Sequence, residues 1–118
     1  MQKRSKGLHA ENAARQWLEA QGLRHLESNY TRKTGEIDLI MLHDITIVFV
    51  EVRYRQRNDF GGSIHSITPA KQRKLINTAL LYLQEKRVKK RPARIDVIAM
   101  QGSMRSPEFR WLKNAIES

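Results

Sequence analysis

The sequence predicts an α/β fold in which helices flank a mixed sheet, and three observations carry that expectation. An apolar stripe at helical spacing occupies the N-terminal fifth of the chain. Two strand-like apolar runs follow, separated by a short polar turn. A Thr-Pro pair then opens a second helical stripe, which leads into a further strand-like run. The expected order is α-β-β-β-α-β-β, with helices packed on the sheet.

Residues Leu8 to Gln21 read as the first helix. Ala10, Ala13, Ala14, Trp17, Leu18 and Gln21 follow the spacing of a buried stripe, and Gly22 is placed to cap the C-terminus. Glu11 lies beside the stripe, either as a solvated helix residue or as an acid directed over the sheet. Leu23 to Tyr30 form a first strand, with Leu23 and Leu26 as apolar members, and Thr31 to Gly35 a turn. Gly35 to Ile40 and Ile47 to Arg53 are the next two strands. Residues 54–67 are a flexible loop, basic and with paired glycines, read as a lip over phosphates or as a merely solvated segment. Thr68 is an N-cap and Pro69 the first position of a helix reaching about Arg87. Its stripe is Leu75, Ile76, Ala79, Leu80 and Leu83, extended backwards to Gln72. The basic run Lys86 to Pro92 is an exposed connector or a contact to a polyanion backbone. Ala93 to Met100 is a fourth strand, Phe109 to Leu112 an edge strand, and a frayed helix ends the chain. Trp17 and Trp111 are expected in the core, and His9, His25, His43 and His65 at surface or packing positions.

The two central runs carry carboxylates where a plain core strand has none. Glu36 and Asp38 share one face of the first run, Glu51 and Arg53 one face of the second. A two-residue loop at Asp44-Ile45, or a four-residue loop from His43 to Thr46, pairs Asp38 with Glu51 and Glu36 with Arg53. Adjacent carboxylates repel unless a proton or a metal ion lies between them. The alternative reading is a solvent face with an ordinary Glu36–Arg53 ion pair, and Ile37, Leu39, Val48, Val50 and Val52 facing the core.

At 118 residues the chain is expected to be one domain, 1–118. It has no cysteine, which excludes disulfides and thiolate zinc sites. No apolar stretch behind the N-terminus serves as a signal peptide, and no apolar run approaches the roughly 20 residues of a membrane span. The expectation is a cytoplasmic protein without a membrane partner. The net charge of +10 implies a polyanionic partner, of which nucleic acid is the commonest.

Glu11 on the first helix, Asp38 on the second strand and Glu51-Val52-Arg53 on the third resemble the PD-(D/E)XK restriction-endonuclease-like superfamily. Gly35 to Ile40, Val48 to Arg55, Phe60-Gly61-Gly62, Lys71-Gln72 and Arg94 to Ile98 are similar to the YraN-like bacterial family within it. The resemblance spans Gly7 to about Met100. It implies a restriction-endonuclease-like αβββαβ core. It also implies a nuclease that hydrolyses phosphodiester bonds, with DNA ahead of RNA as substrate. Because archaeal Holliday-junction resolvases share the layout, branched recombination or repair intermediates are the implied substrates, and a homodimer the implied assembly. Asp38 and Glu51 would hold Mg²⁺ or Mn²⁺ with help from Glu11 and the Val52 carbonyl, and Gln72 would orient water or a phosphate oxygen. Arg55, Arg57, Lys71, Arg73 and Lys74 would contact nucleic acid. Arg53 stands where the superfamily usually has lysine. A guanidinium does not give up its proton, so Arg53 would clamp phosphate rather than act as a base, and Lys71 or Lys74 would supply the missing amine. The second reading is a nucleic-acid-binding protein that keeps the nuclease fold without turnover.

Overall fold

The structure, a computed structural model, describes residues 2–56 and 67–117, with side chains from Gly7 onward. Arg57, Phe60-Gly61-Gly62, His65 and most of the expected loop lie outside the described residues. Helix α1 spans Gln2–Ala20, β1 Arg24–Arg32, β2 Gly35–His43 and β3 Thr46–Arg55. Helix α2 spans Pro69–Glu85, followed by β4 Ala93–Gln101 and β5 Glu108–Ile116. The five strands form one mixed sheet in sequence order. β3 and β4 are parallel and the other neighbours antiparallel, with α2 as the crossover that parallel pairing demands.

Alternation along the strands feeds two apolar layers. Ile47, Phe49, Ile95 and Val97 pack beneath α2 with Leu75, Ala79 and Tyr82. Val48, Val50, Ile98 and Met100 pack beneath α1 with Ala10, Ala14 and Leu18. The fold is therefore a helix–sheet–helix sandwich. Trp17 stacks on Phe109 and meets Trp111 edge-on, so both tryptophans are half-buried packing residues against the α1 layer.

Helix caps follow the sequence closely. Gly22 takes φ 101° after α1, and Leu23 N donates to Leu18 O at 3.1 Å. The Thr68 hydroxyl accepts from Lys71 N, and Pro69 opens α2. Helix α1 begins six residues before the expected Leu8. The apolar stripe starts there, but Gln2 to Lys6 contain no helix breaker and extend the backbone as a polar turn.

Four expectations require correction. Leu26 and Leu80 are 43% and 56% exposed, because the buried faces of β1 and α2 instead carry Tyr30, and Thr78 and Tyr82. Tyr54 and Arg55 belong to β3, held by pairing with Met100 and Gln101 rather than released into a loop. Among the described residues no C-terminal helix forms, since β5 runs to Ile116. The reason is Asp96, whose buried carboxylate accepts from Arg94 Nε, from Trp111 Nε1 at 2.9 Å and from Asn114 N at 2.8 Å. Asn114 turns left-handed at φ 52°, the β4–β5 register shifts there, and Ile116 lands opposite Ile95 in the core. Finally, Ile37 lies in the α2 layer and Leu39 in the α1 layer, so strict alternation breaks at Asp38.

Candidate functional site

The break at Asp38 builds the site. The Asp44-Ile45 turn, with Asp44 at φ 56°, sets His43 opposite Thr46 and carries the β2–β3 ladder back to Leu39 opposite Val50. The next pair in that register is Asp38 and Glu51. There the ladder ends, and Val52 N donates at 2.8 Å to Asp38 Oδ2 instead of to a strand carbonyl. The strands part around two acids. Asp38 lies close enough to Glu51 on one side and to Glu11 of α1 on the other for its charge to disfavour theirs. The contacts run in sequence from Glu11 to Asp38 to Glu51. Among the described residues, no group of three or more His, Cys, Asp or Glu is gathered closely enough to hold a metal ion.

Arg53 does not cross to Glu36, as the hairpin register suggested. Its Nε lies 3.1 Å from Glu51 Oε2 on its own strand. The Nε–H is nevertheless not aimed at that oxygen and makes no hydrogen bond, so the contact is Coulombic. Glu36 is exposed and accepts from the Thr31 hydroxyl at 3.3 Å. Lys71 reaches from the first turn of α2 to within 3.9 Å of Glu51 Oε2. Lys74 points its alkyl base toward the β1–β2 turn, where a Cβ on Gly35 would lie 3.2 Å from Lys74 Cβ. Of the two lysines, Lys71 is the one beside the acids.

Gln72 is not brought to the acids. Its Nε2 donates to Ile67 O at 3.1 Å, and it lines a separate cavity with Val97, Leu112 and Lys113. Arg55 and Arg73 are exposed at the end of β3 and on α2.

Burial dominates the electrostatics. It pushes the Glu51 carboxyl up to about 8, reinforced by the Asp38 charge and opposed by Lys71 and Arg53. Burial, then the Asp38 charge, pushes Glu11 up to about 7. Asp38 is also raised by burial, against the pull of the Val52 N–H. The protein's own cations therefore do not neutralise the cluster, and near neutral pH Glu51 keeps a proton. Glu11 Oε1 is buried without a hydrogen-bond partner. A carboxylate oxygen in that condition, beside two more acids, is costly to leave ionised.

Two cavities meet at Glu11. One of about 330 Å³ is lined by Gly7, Ala10, Glu11, Asp38, Val52, Arg53 and Tyr54, the other of about 430 Å³ by Gly7, Leu8, Glu11, Asn29, Thr31 and Glu36. The sequence reading missed Asn29 and Tyr54. Asn29 takes φ 55° within β1, lines the second cavity with Glu11 and favours the charged form of that carboxyl. Tyr54 walls the first cavity and donates to Gly102 O at 2.6 Å. An asparagine inside a strand is the one signal that pointed there.

Comparison with known proteins places the whole cluster inside a single family match. The model described as "Uncharacterised protein family UPF0102" matches residues 10–100, from α1 to β4. A UPF0102 protein of Pseudomonas putida is 48% identical over 115 residues, covering 96% of this chain and 94% of the relative. A second, from Vibrio parahaemolyticus, is 48% identical and covers 97% and 93%. A third, from Colwellia psychrerythraea, is 45% identical and covers 93% and 87%.

Proposed function

The chain belongs to the UPF0102 family, and from that premise we propose that it is a Mg²⁺- or Mn²⁺-dependent nuclease acting on DNA, with branched recombination or repair intermediates as its substrates. The observation that carries the proposal is the row Glu11–Asp38–Glu51 where β2 and β3 part, its Glu11 and Glu51 carboxyls pushed up by burial and its Glu51 flanked by Arg53 and Lys71. The same reading takes the sandwich as a restriction-endonuclease-like core and pairs two copies as a homodimer on one substrate.

A bound divalent ion would supply Lewis acidity at the scissile phosphate and a source of hydroxide near neutral pH. Asp38 and Glu51 would hold it, with Glu11 completing the oxygen set. The chain's own residues do the remaining work. The Val52 N–H fixes Asp38 Oδ2, so one ligand is pre-oriented by backbone. Arg53 would clamp a phosphate oxygen through N–H groups not consumed by Glu51. Lys71 sits on the side of Glu51 where an ammonium can stabilise charge developing on the phosphate. Gln72 holds the entry to α2 rather than water at the acids.

The second reading, binding without turnover, draws on one observation: the position usually held by lysine is Arg53, ion-paired to Glu51. Cleavage of labelled duplex, single-stranded, flapped and four-way-junction DNA with Mg²⁺ or Mn²⁺ decides between the two. The nuclease reading expects metal-dependent cutting that disappears in Glu51→Gln purified identically. Salt-sensitive binding with no cutting by either protein would transfer the assignment to the binding module.

A further inference from the structure

The residues between α2 and β4 place a second cationic surface at the opposite end of the molecule from the acids. Lys86-Arg87-Val88-Lys89-Lys90-Arg91-Pro92 contains five cations and no acid. It sits where β3 and β4 begin, with Ile47 N donating to Pro92 O at 2.9 Å. Lys71, beside Glu51, is in the first turn of α2, and Lys86 follows its last residue. A helix of 17 residues is about 25 Å long. The two clusters therefore stand roughly that far apart and cannot grip one phosphate.

Four of the connector's five cations make no ion pair among the described residues. Lys86 lies 3.9 Å from Glu27 and over the Tyr82 ring. Among the described residues, Arg87, Lys89, Lys90 and Arg91 enter no ion pair, and all four are exposed. Glu85, the acid that precedes the connector in the chain, is taken by Tyr30 and Arg32. The outer stripe of α2 between the clusters, Arg73, Asn77, Leu80 and Gln84, is exposed and carries no acid to repel a polyanion.

The backbone adds an independent observation. Arg87 N donates to Gln84 O and Val88 N to Leu83 O, which closes α2 with the motif that ordinarily places glycine at the left-handed position. Here that position is Arg87 at φ 53°, and Lys90 is left-handed too at φ 60°. Long cations stand where glycine or asparagine would be less strained. Val88 is tucked against the core, so the connector offers cations without an apolar side chain to insert into lipid.

We propose that this connector is a second nucleic-acid contact, gripping the sugar–phosphate backbone about one α2 length from the scissile position. The surface then engages a duplex arm some 6–8 base pairs from the acids, at one base pair per 3.4 Å. It extends the nuclease reading by giving the substrate a minimum length, and its test is independent of cutting.

The variant Arg87→Gly/Lys90→Gly removes two cations while giving both left-handed positions the residue they favour. It is expected to melt within a few degrees of wild type or above it. Without metal, its affinity for a duplex of about 30 base pairs should fall roughly five- to tenfold at low salt, and the slope of log affinity against log salt should shrink by about 2. Lys89→Glu/Arg91→Glu, at positions with ordinary backbone, should lose more. Unchanged affinity and slope in both variants would overturn the proposal. So would loss of binding to anionic phosphatidylserine vesicles with duplex binding intact, which would assign the surface to lipid. Repeating the measurement in Glu51→Gln separates the two ideas. A protein that never cuts can still show the loss, and one that cuts normally can fail to show it.

Discussion

Replacing Glu51 by glutamine should stabilise the metal-free protein at alkaline pH and leave it unchanged in acid. Glu51 titrates near 4.5 in a solvated chain and near 8 in the fold. Between those values the folded protein holds a proton that the unfolded chain has released, so stability falls as pH rises. The contribution of the neutral carboxyl is fully present below about 4.5 and lost as pH passes through about 8. At about 1.4 kcal/mol per pH unit, ionising the buried group costs the fold roughly 4–5 kcal/mol. Relaxation and water entry at the parted strands reduce this to an expected 2–3 kcal/mol or so. For a chain of this length that is a rise in Tm of roughly 5–10 °C for Glu51→Gln at about pH 8.5, shrinking to near zero at about pH 4.5. Thermal melts in chelator across that range check it. Parallel curves for the two proteins would refute the reasoning, because they would mean that Glu51 ionises freely in the fold.

Several other perturbations have defined outcomes. Mg²⁺ or Mn²⁺ should raise Tm more at about pH 8 than at about pH 5.5, where protons compete for the same oxygens; Asp38→Asn should abolish the rise in melts made side by side. Lys71→Met should lower cleavage by roughly 10²-fold in single-turnover assays, whereas Lys74→Met, whose side chain leans on the β1–β2 turn, should change it by less than about threefold. Asp96→Ala takes the acceptor from Trp111 Nε1 and Asn114 N and the ion pair from Arg94 and should cost about 3–5 kcal/mol by urea titration, while any remaining folded protein keeps its cation response. Gly35→Ala combines φ 150° with a Cβ 3.1 Å from Thr78 Oγ1 and should cost about 1–3 kcal/mol in the same titration.

The sequence yields the element order and both helix caps because these depend on local chemistry: Gly22, Thr68 and Pro69 act within one turn. It yields Asp38 opposite Glu51 because a two-residue turn and alternation fix the register. The failures arise where tertiary contacts override local pattern. Leu80 fits the stripe of α2 but is displaced to solvent by Tyr82, which packs against Tyr30 and Phe49. The final six residues read as helix until Asp96, eighteen positions before Asn114, captures its N–H and holds the chain in the sheet. The Glu36–Arg53 pair fails for a related reason. The ladder that would align it ends at Leu39, where the Asp38 side chain takes a backbone donor. The stripe of α2 places Gln72 at the margin of the core, where it does line a cavity; its role beside the acids came from resemblance alone, and its amide is used by the Ile67 carbonyl. Lys71 and Lys74 are equivalent in sequence, and only the geometry of α2 against β3 separates them.

The central claim is that the Glu11–Asp38–Glu51 row keeps protons in place of a divalent cation. Calorimetric titration of Mn²⁺ into the protein, in buffers of different ionisation enthalpy, tests it directly. With Glu51 near 8 and Glu11 near 7, binding at about pH 7 should release roughly one proton or more per ion, falling toward zero above about pH 9. Binding without proton release, or no binding to wild type at either pH, would contradict the account.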